Sequence, residues 1–155
     1  MNDAGPWHTE DYEKISWHDC HVHGWRFDSF NDREGAAELV LDIDYIMKWE
    51  RAGDGFQFTV CRAELMFHDA FRLKFSLDYA TPTAGMTPFM IRDITREQIQ
   101  APNGHQSFRW HVHINWPEGF MEFEAPGFTQ RLVGTPHVQP NQALSPEQRR
   151  GANAA

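Results

Sequence analysis

The sequence predicts an all-β fold with minor helix: an antiparallel two-sheet sandwich or an open β-barrel with one or two short helices. Three observations predict it. Apolar and polar residues alternate with period two along most of the chain, as in strands with one dry and one wet face. Clusters of Gly, Pro, Asn and Asp interrupt that alternation at short intervals. Aromatic residues make up 14% of the chain, with 12 Phe and 6 Trp, and rings suit sheet faces. No long helical segments separate the strands, which argues against a parallel α/β sheet.

A chain of 155 residues fits one domain with a real core. Residues 1–13 read as a flexible polar leader, 14–138 as a single β-rich domain and 139–155 as a polar tail with a short helical turn. The net charge of −8 and pI near 5.5 disfavour a grip on phosphate backbones or anionic lipid, so neither nucleic acid nor membrane is an expected partner. A basic protein partner fits that charge, and the chain is compatible with a monomer or a homodimer. The two cysteines, Cys20 and Cys61, make no disulfide framework. Without an apolar run for a signal peptide or membrane span, the expected address is the cytoplasm.

Along the chain, Ile15–Asp19 is a short strand candidate and Val22–Phe30 a second, closed by a turn at Asn31–Gly35. Glu38–Trp49 carries the clearest pattern: Leu39, Leu41, Ile43, Tyr45, Met47 and Trp49 share one face, Glu38, Asp42, Asp44 and Lys48 the other. After Arg51–Gly55 turns, a strand runs from Phe56 toward Phe67, with a parity change near Cys61–Ala63 that predicts a bulge or a strand moving between sheets. Phe71–Tyr79 alternates again, and Thr81–Gly85 breaks it as a loop. Phe89–Ile94 is a strand, and Thr95–Gln98 matches a capping box, which predicts a short helix through Gln100. Phe108–Trp116 places Trp110, Val112, Ile114 and Trp116 opposite Arg109, His111, His113 and Asn115. Phe120–Glu124 and Phe128–Val133 complete the strands, and Ser145–Gln148 opens one helical turn.

Several strings occur together: Trp17-His18-Asp19, His23, Glu38–Ile46 with Trp49, Asp93–Glu97, Arg109-Trp110, Phe123–Ala125 and Gly127–Gln130. In these the chain resembles a family of small uncharacterised bacterial proteins of about the same length. The resemblance implies a β-rich fold and carries no activity.

Histidine placement is the strongest chemical signal. The chain has 9 histidines and repeats His-Val-His, at His21/His23 and His111/His113. Residues two apart in a strand point to the same side, so each pair would present two imidazoles to one ion. Two such pairs on adjacent strands, with Asp42 or Asp44 as a third ligand type, would suit Zn or Fe. His111, His113 and Glu118 resemble part of the first cupin metal motif, although Pro117–Gly119 reads as a turn tip and the second cupin motif is absent. An ordinary exposed histidine pair explains His111 and His113 more simply than ligation does. His18 and Cys20 fall on the opposite side from His21 and His23 unless a turn at Asp19-Cys20 reunites them. Cys20 beside His18 and His21 is a candidate for a lowered pKa. Asp42 and Asp44 would serve metal or acid/base work, or pair across strands with Arg26, Arg72, Lys74 or Arg109.

The residues leave three function classes open. The first is a non-enzymatic binding or interaction protein, of the kind bacteria use as immunity proteins against basic toxins. The second is a metal-binding, cupin-like β-barrel enzyme built on the His-Val-His pairs. The third is a small-ligand carrier with an aromatic cavity, for which Trp25, Trp49, Trp110 and Trp116 are the candidate lining.

Overall fold

The computed structural model describes residues 4–80 and 85–153, so the expected Thr81–Gly85 loop lies, except for Gly85, outside the described residues. The chain is all-β with minor helix. Its strands are β1 (Trp7–His8), β2 (His21–Asn31), β3 (Ala36–Ala52), β4 (Gly55–Leu77), β5 (Phe89–Gln100), β6 (Gln106–Asn115), β7 (Gly119–Ala125), β8 (Gly127–Leu132) and β9 (His137–Gln139). A 3-10 helix, Thr9–Lys14, follows β1, and an α-helix, α1 (Pro146–Asn153), lies near the C-terminus. Every strand pairing among the described residues is antiparallel. No helix among the described residues is long and apolar enough to cross a membrane.

β4 is the spine. One edge pairs with β3 from Ala52↔Gly55 to Ala37↔Ala70. The other edge takes β7 and β8 in near-continuous register, Phe71↔Glu124 followed by His68↔Gly127, and then β9. The order β2-β3-β4-β7-β6-β5 forms a ring, sealed by His21↔Met90 and Val22↔Phe89 between β2 and β5. The seam is prolonged where Asp19 N–H donates to Ile91 O (2.8 Å) and Ile91 N–H donates to Cys20 O (2.9 Å). The sheet therefore closes as a barrel instead of remaining open or splitting into a sandwich, and closure removes most free edges. β4 reaches both β3 and β7 because it kinks, with Asp69 at φ 48°, Arg72 at φ 57° and a register shift between Phe71 and Lys74.

Period two succeeds on the dry faces. Leu39, Leu41 and Ile43 of β3 and Trp110 and Val112 of β6 are wholly buried, together with Phe67, Phe123, Phe128 and Met121. Phe67 meets Phe123 edge-on with centroids 4.6 Å apart and Trp110 at 5.1 Å, while Trp110 Nε1–H donates to Ala125 O (2.9 Å). Trp116, expected on the same face, instead occupies the turn after β6 at φ 63° and is 50% exposed. The bulge expected near Cys61–Ala63 falls on the partner strand, between Ile46 and Lys48. The parity change arises because Val60 and Cys61 are both fully buried, so both faces of the sheet are covered there.

Three segments differ from expectation. From Trp7 on, the predicted flexible leader is docked: Trp7 pairs with Gln130, Tyr12 Oη–H donates to Ile94 O (2.7 Å), and Phe128 N–H donates to Thr9 Oγ1 (2.9 Å). Thr9 lies so close to Gly127 that a Cβ there would collide with its hydroxyl. The leader's polarity concealed this, because hydrogen bonds and rings dock it and no apolar run does. Ile15–Asp19 is not a strand; Trp17 is a buried anchor whose Nε1–H donates to Gln130 Oε1 (2.7 Å). The helix expected over Thr95–Gln100 is strand, with Thr95↔His111 through Gln100↔Gln106 in register. A capping box contributes about 1 kcal/mol, less than the ladder and burial that a hairpin turning at Pro102–Gly104 provides. Arg96, within that stretch, sits 4.1 Å from the Tyr12 ring and 4.2 Å from Phe108, so it also pins the leader.

Candidate functional site

The outer face of β3 carries the densest charge network. Asp42 and Asp44 do share a face, but that face is not wet: residues 139–150 of the predicted tail lie across it. Asp44 is wholly buried, Leu144 is 6% exposed, and Leu144 N–H donates to Asp44 Oδ2 (3.0 Å). Arg149 from α1 spans both carboxylates, with Nη1 on Asp44 Oδ1 and Nη2 2.5 Å from Asp42 Oδ1. Arg62 on β4 donates twice to Asp42 at 3.1 Å. Burial alone would raise the Asp42 pKa, yet Arg62 and Arg149 outweigh it and hold the carboxyl below its usual range. The expected cross-strand partners bind elsewhere: Arg26 pairs with Glu64 and Asp28, Arg72 with Glu124, and Arg109 with Glu97, while Lys74 lies over the Phe120 ring.

His21 and His23 join this network through a register shift between Val22 and Gly24. His21 lies opposite Asp44, and His23 Nε2 is 2.7 Å from Asp44 Oδ2. His21 Nδ1 is buried without a hydrogen-bond partner, and burial lowers the ring's pKa against the opposing pull of Asp44. His111 and His113 lie on β6, and β5 stands between β6 and β2. Two strand spacings amount to about 9–10 Å, too far for one ion to bridge directly. The joint metal site expected of His21, His23, His111, His113 and Asp42 is therefore not assembled. Among the described residues no group of three or more His, Cys, Asp or Glu is placed to hold one ion. The His111 and His113 rings lie tilted to each other with centroids 4.0 Å apart and face Glu122 and Asp93, each at 3.5 Å. Glu118 is exposed in the turn after β6, away from the cupin-like position. Asn115 is exposed opposite Met90.

His21 and Asp42 give the pH dependence of stability a sign. The folded pKa of His21 lies below 6.5, so the unfolded chain binds that proton first, and stability declines as pH falls from about 6.5 toward the folded value. Asp42 and Glu64 lie below 3.8 and 4.5, so their contributions persist to lower pH and are lost as pH falls through their folded values. Acid therefore weakens the fold in two stages. Urea midpoints measured at about pH 7.5, 5.5 and 2.5 should fall stepwise, and His21→Gln should flatten the first step only.

Cys20 is not an activated thiol. A turn at His18-Asp19, with Asp19 at φ 65°, does occur, but it sends Cys20 into the core, where burial pushes its pKa up to about 12. His18 stacks on Trp49 at 6.3 Å and bonds Arg92 O (3.0 Å). Cys61 is also buried and raised, its Sγ 3.3 Å from Gly134 O. An aromatic disulfide reagent should label neither thiol in native protein and both in denaturant. Rapid native labelling of Cys20 would show that its cover opens.

Two further features were not legible in the sequence. His68 on β4 has Nδ1 2.5 Å from Glu38 Oε2 and Nε2 2.7 Å from Thr129 Oγ1, and the other Glu38 oxygen accepts Asp69 N–H (3.0 Å). Hydroxyl, imidazole and carboxylate in line resemble a nucleophile relay, but here the line ends by fixing the main chain of Asp69. Asp69 in turn borders a cavity of about 360 Å³ where the β2–β3 turn, the β4 kink and the β5–β6 turn meet. The second feature is β2 itself. Beyond Val22 it pairs, among the described residues, only with β3, and Trp25, Phe27 and Phe30 are 44%, 55% and 65% exposed. Trp25 packs on Phe27 and reaches Phe75 at 5.5 Å.

No protein-family model and no curated protein matches this chain. The geometry must therefore carry the functional reading alone. It brings His21, His23, Asp42 and Asp44 together as a structural clamp, leaves His111, His113 and Arg109 on a separate face, and buries Cys20. Of the candidate cavity tryptophans, Trp110 is solid core, and Trp25 and Trp49 are surface residues, each 44% exposed.

Proposed function

We propose that this chain is a non-enzymatic cytoplasmic binding protein that holds a basic protein partner along β2, as a small bacterial immunity protein would. The observation that carries this reading is the edge of β2 that no strand among the described residues pairs beyond Val22, with three large rings exposed beside it. An open edge offers main-chain donors and acceptors to an incoming strand, and Trp and Phe are the anchors that protein interfaces favour. The net charge of −8, with Asp28, Asp32 and Glu34 on the same hairpin, would steer a cationic surface toward it. The polar clusters on β3 serve as internal clamps, which leaves them poor candidates for catalysis.

The test uses the full chain as bait, alongside a Trp25→Ser/Phe27→Ser variant. Both positions are substantially exposed, so the fold should survive. A basic protein enriched by the native chain, weakened by salt and lost with the double variant supports the reading. Identical capture profiles for the two baits would end it. Metal that co-purifies in stoichiometric amount and is lost in a His111→Ala/His113→Ala variant would favour the metal-binding alternative instead.

A further inference from the structure

We propose that the cavity at the kinked end of the barrel binds a small organic cation, a primary amine carried on an apolar body. This goes beyond the partner surface on β2 and shares only Glu34 with it. The cavity, about 360 Å³, falls within the range of small-molecule sites, and its mixed wall is what such ligands need: an apolar majority with a few convergent polar groups. Ala36, Phe71 and Pro126 supply apolar surface for the ligand's body.

The polar groups fix the sign of the ligand's charge. Glu34 and Asp69 both border the cavity, and neither carboxylate has an ion-pair or hydrogen-bond partner among the described residues. Elsewhere on the barrel, acidic groups such as Asp42, Asp44, Glu64 and Glu124 are matched by arginine. Ser107, also on the cavity wall, is 2% exposed, and its hydroxyl is buried with no hydrogen-bond partner. A buried hydroxyl costs free energy until something bonds to it, and an ammonium supplies the donor that its oxygen would accept. Asp69 is not left to wander: its N–H is tied to Glu38, which His68 grips from the other side. Glu38 and His68 thus fix the main chain that carries the Asp69 carboxylate at the cavity's border. His105, the remaining titratable lining group, would favour an anion if protonated, so an anionic probe is part of the test.

The experiment titrates the full chain with benzylamine, benzyl alcohol and benzoate, following amide shifts by NMR. Benzylamine should bind saturably and shift Asp69 and Ser107, with benzyl alcohol roughly tenfold weaker and benzoate not bound. Asp69→Asn and Glu34→Gln should each weaken benzylamine by roughly tenfold while leaving benzyl alcohol unchanged. Glu34 is exposed on a turn, so its variant keeps the test valid if Asp69→Asn unfolds. Equal binding of all three probes, preference for benzoate, shifts confined to other surfaces, or indifference to Glu34→Gln would each overturn the proposal. Amine binding that persists in the Trp25→Ser/Phe27→Ser variant would separate this site from the β2 surface.

Discussion

Replacing Arg149 by alanine should cost roughly 3 kcal/mol of stability, the low end of what breaking a buried ion pair costs. Asp44 has no exposed side-chain surface and Arg149 only 11%, so the variant leaves a carboxylate in the interior without its cation. The low end applies because His23 and the Leu144 N–H still bond Asp44, and Arg62 still holds Asp42. Urea unfolding would measure the loss. The companion variants Asp44→Asn and Asp44→Asn/Arg149→Ala complete a cycle, in which the double variant should be less destabilised than the two single losses added together. A loss below about 1 kcal/mol for Arg149→Ala would mean that the tail does not cap the buried charge.

The same contacts explain why α1 exists. Eight residues are too few for a helix to persist alone in water. Its start is capped reciprocally, Ser145 N–H donating to Gln148 Oε1 (2.7 Å) and Gln148 N–H to Ser145 Oγ (3.2 Å). Docking supplies the rest, through Arg149 below and Leu144 beside it.

Particular residues mark where sequence reasoning reached and where it stopped. Period two identified the dry faces of β3 and β6, because a residue's side of a strand is a local property. It misassigned the other face of β3, because what covers Asp44 arrives about a hundred residues later and leaves no trace in the alternation itself. The His-Val-His repeats were legible as spacing, but whether β2 and β6 touch depends on strand order, which no spacing encodes. The Thr95–Gln98 string predicts a helix start because its local preference is real; its β6 partner overrides it. The line from Thr129 through His68 to Glu38 requires the register of three strands together and was out of reach. The exposed rings of β2 were visible as residues, but their exposure follows from β5 leaving that edge after Val22.

Trp110→Ala should cause the other large loss, about 3–5 kcal/mol. The ring is wholly buried and meets Tyr12 at 5.9 Å, Phe67 at 5.1 Å and Phe128 at 5.8 Å, so its removal empties the centre of the barrel. It also frees Ala125 O and removes one wall of the stack around Arg96, so the docked leader should loosen as well. Chemical denaturation gives the energy, and hydrogen exchange at Tyr12 and Gln130 reports the leader. The variant bears on function too. If the native interior is solid, as its interlocked rings indicate, an apolar probe such as benzene should raise the melting temperature of Trp110→Ala but not of the native chain. A native chain that benzene stabilises equally would reveal interior space for a carrier's cargo. Benzene stabilising only the variant would confine binding to the outside of the barrel, to the β2 edge and the cavity beside Asp69.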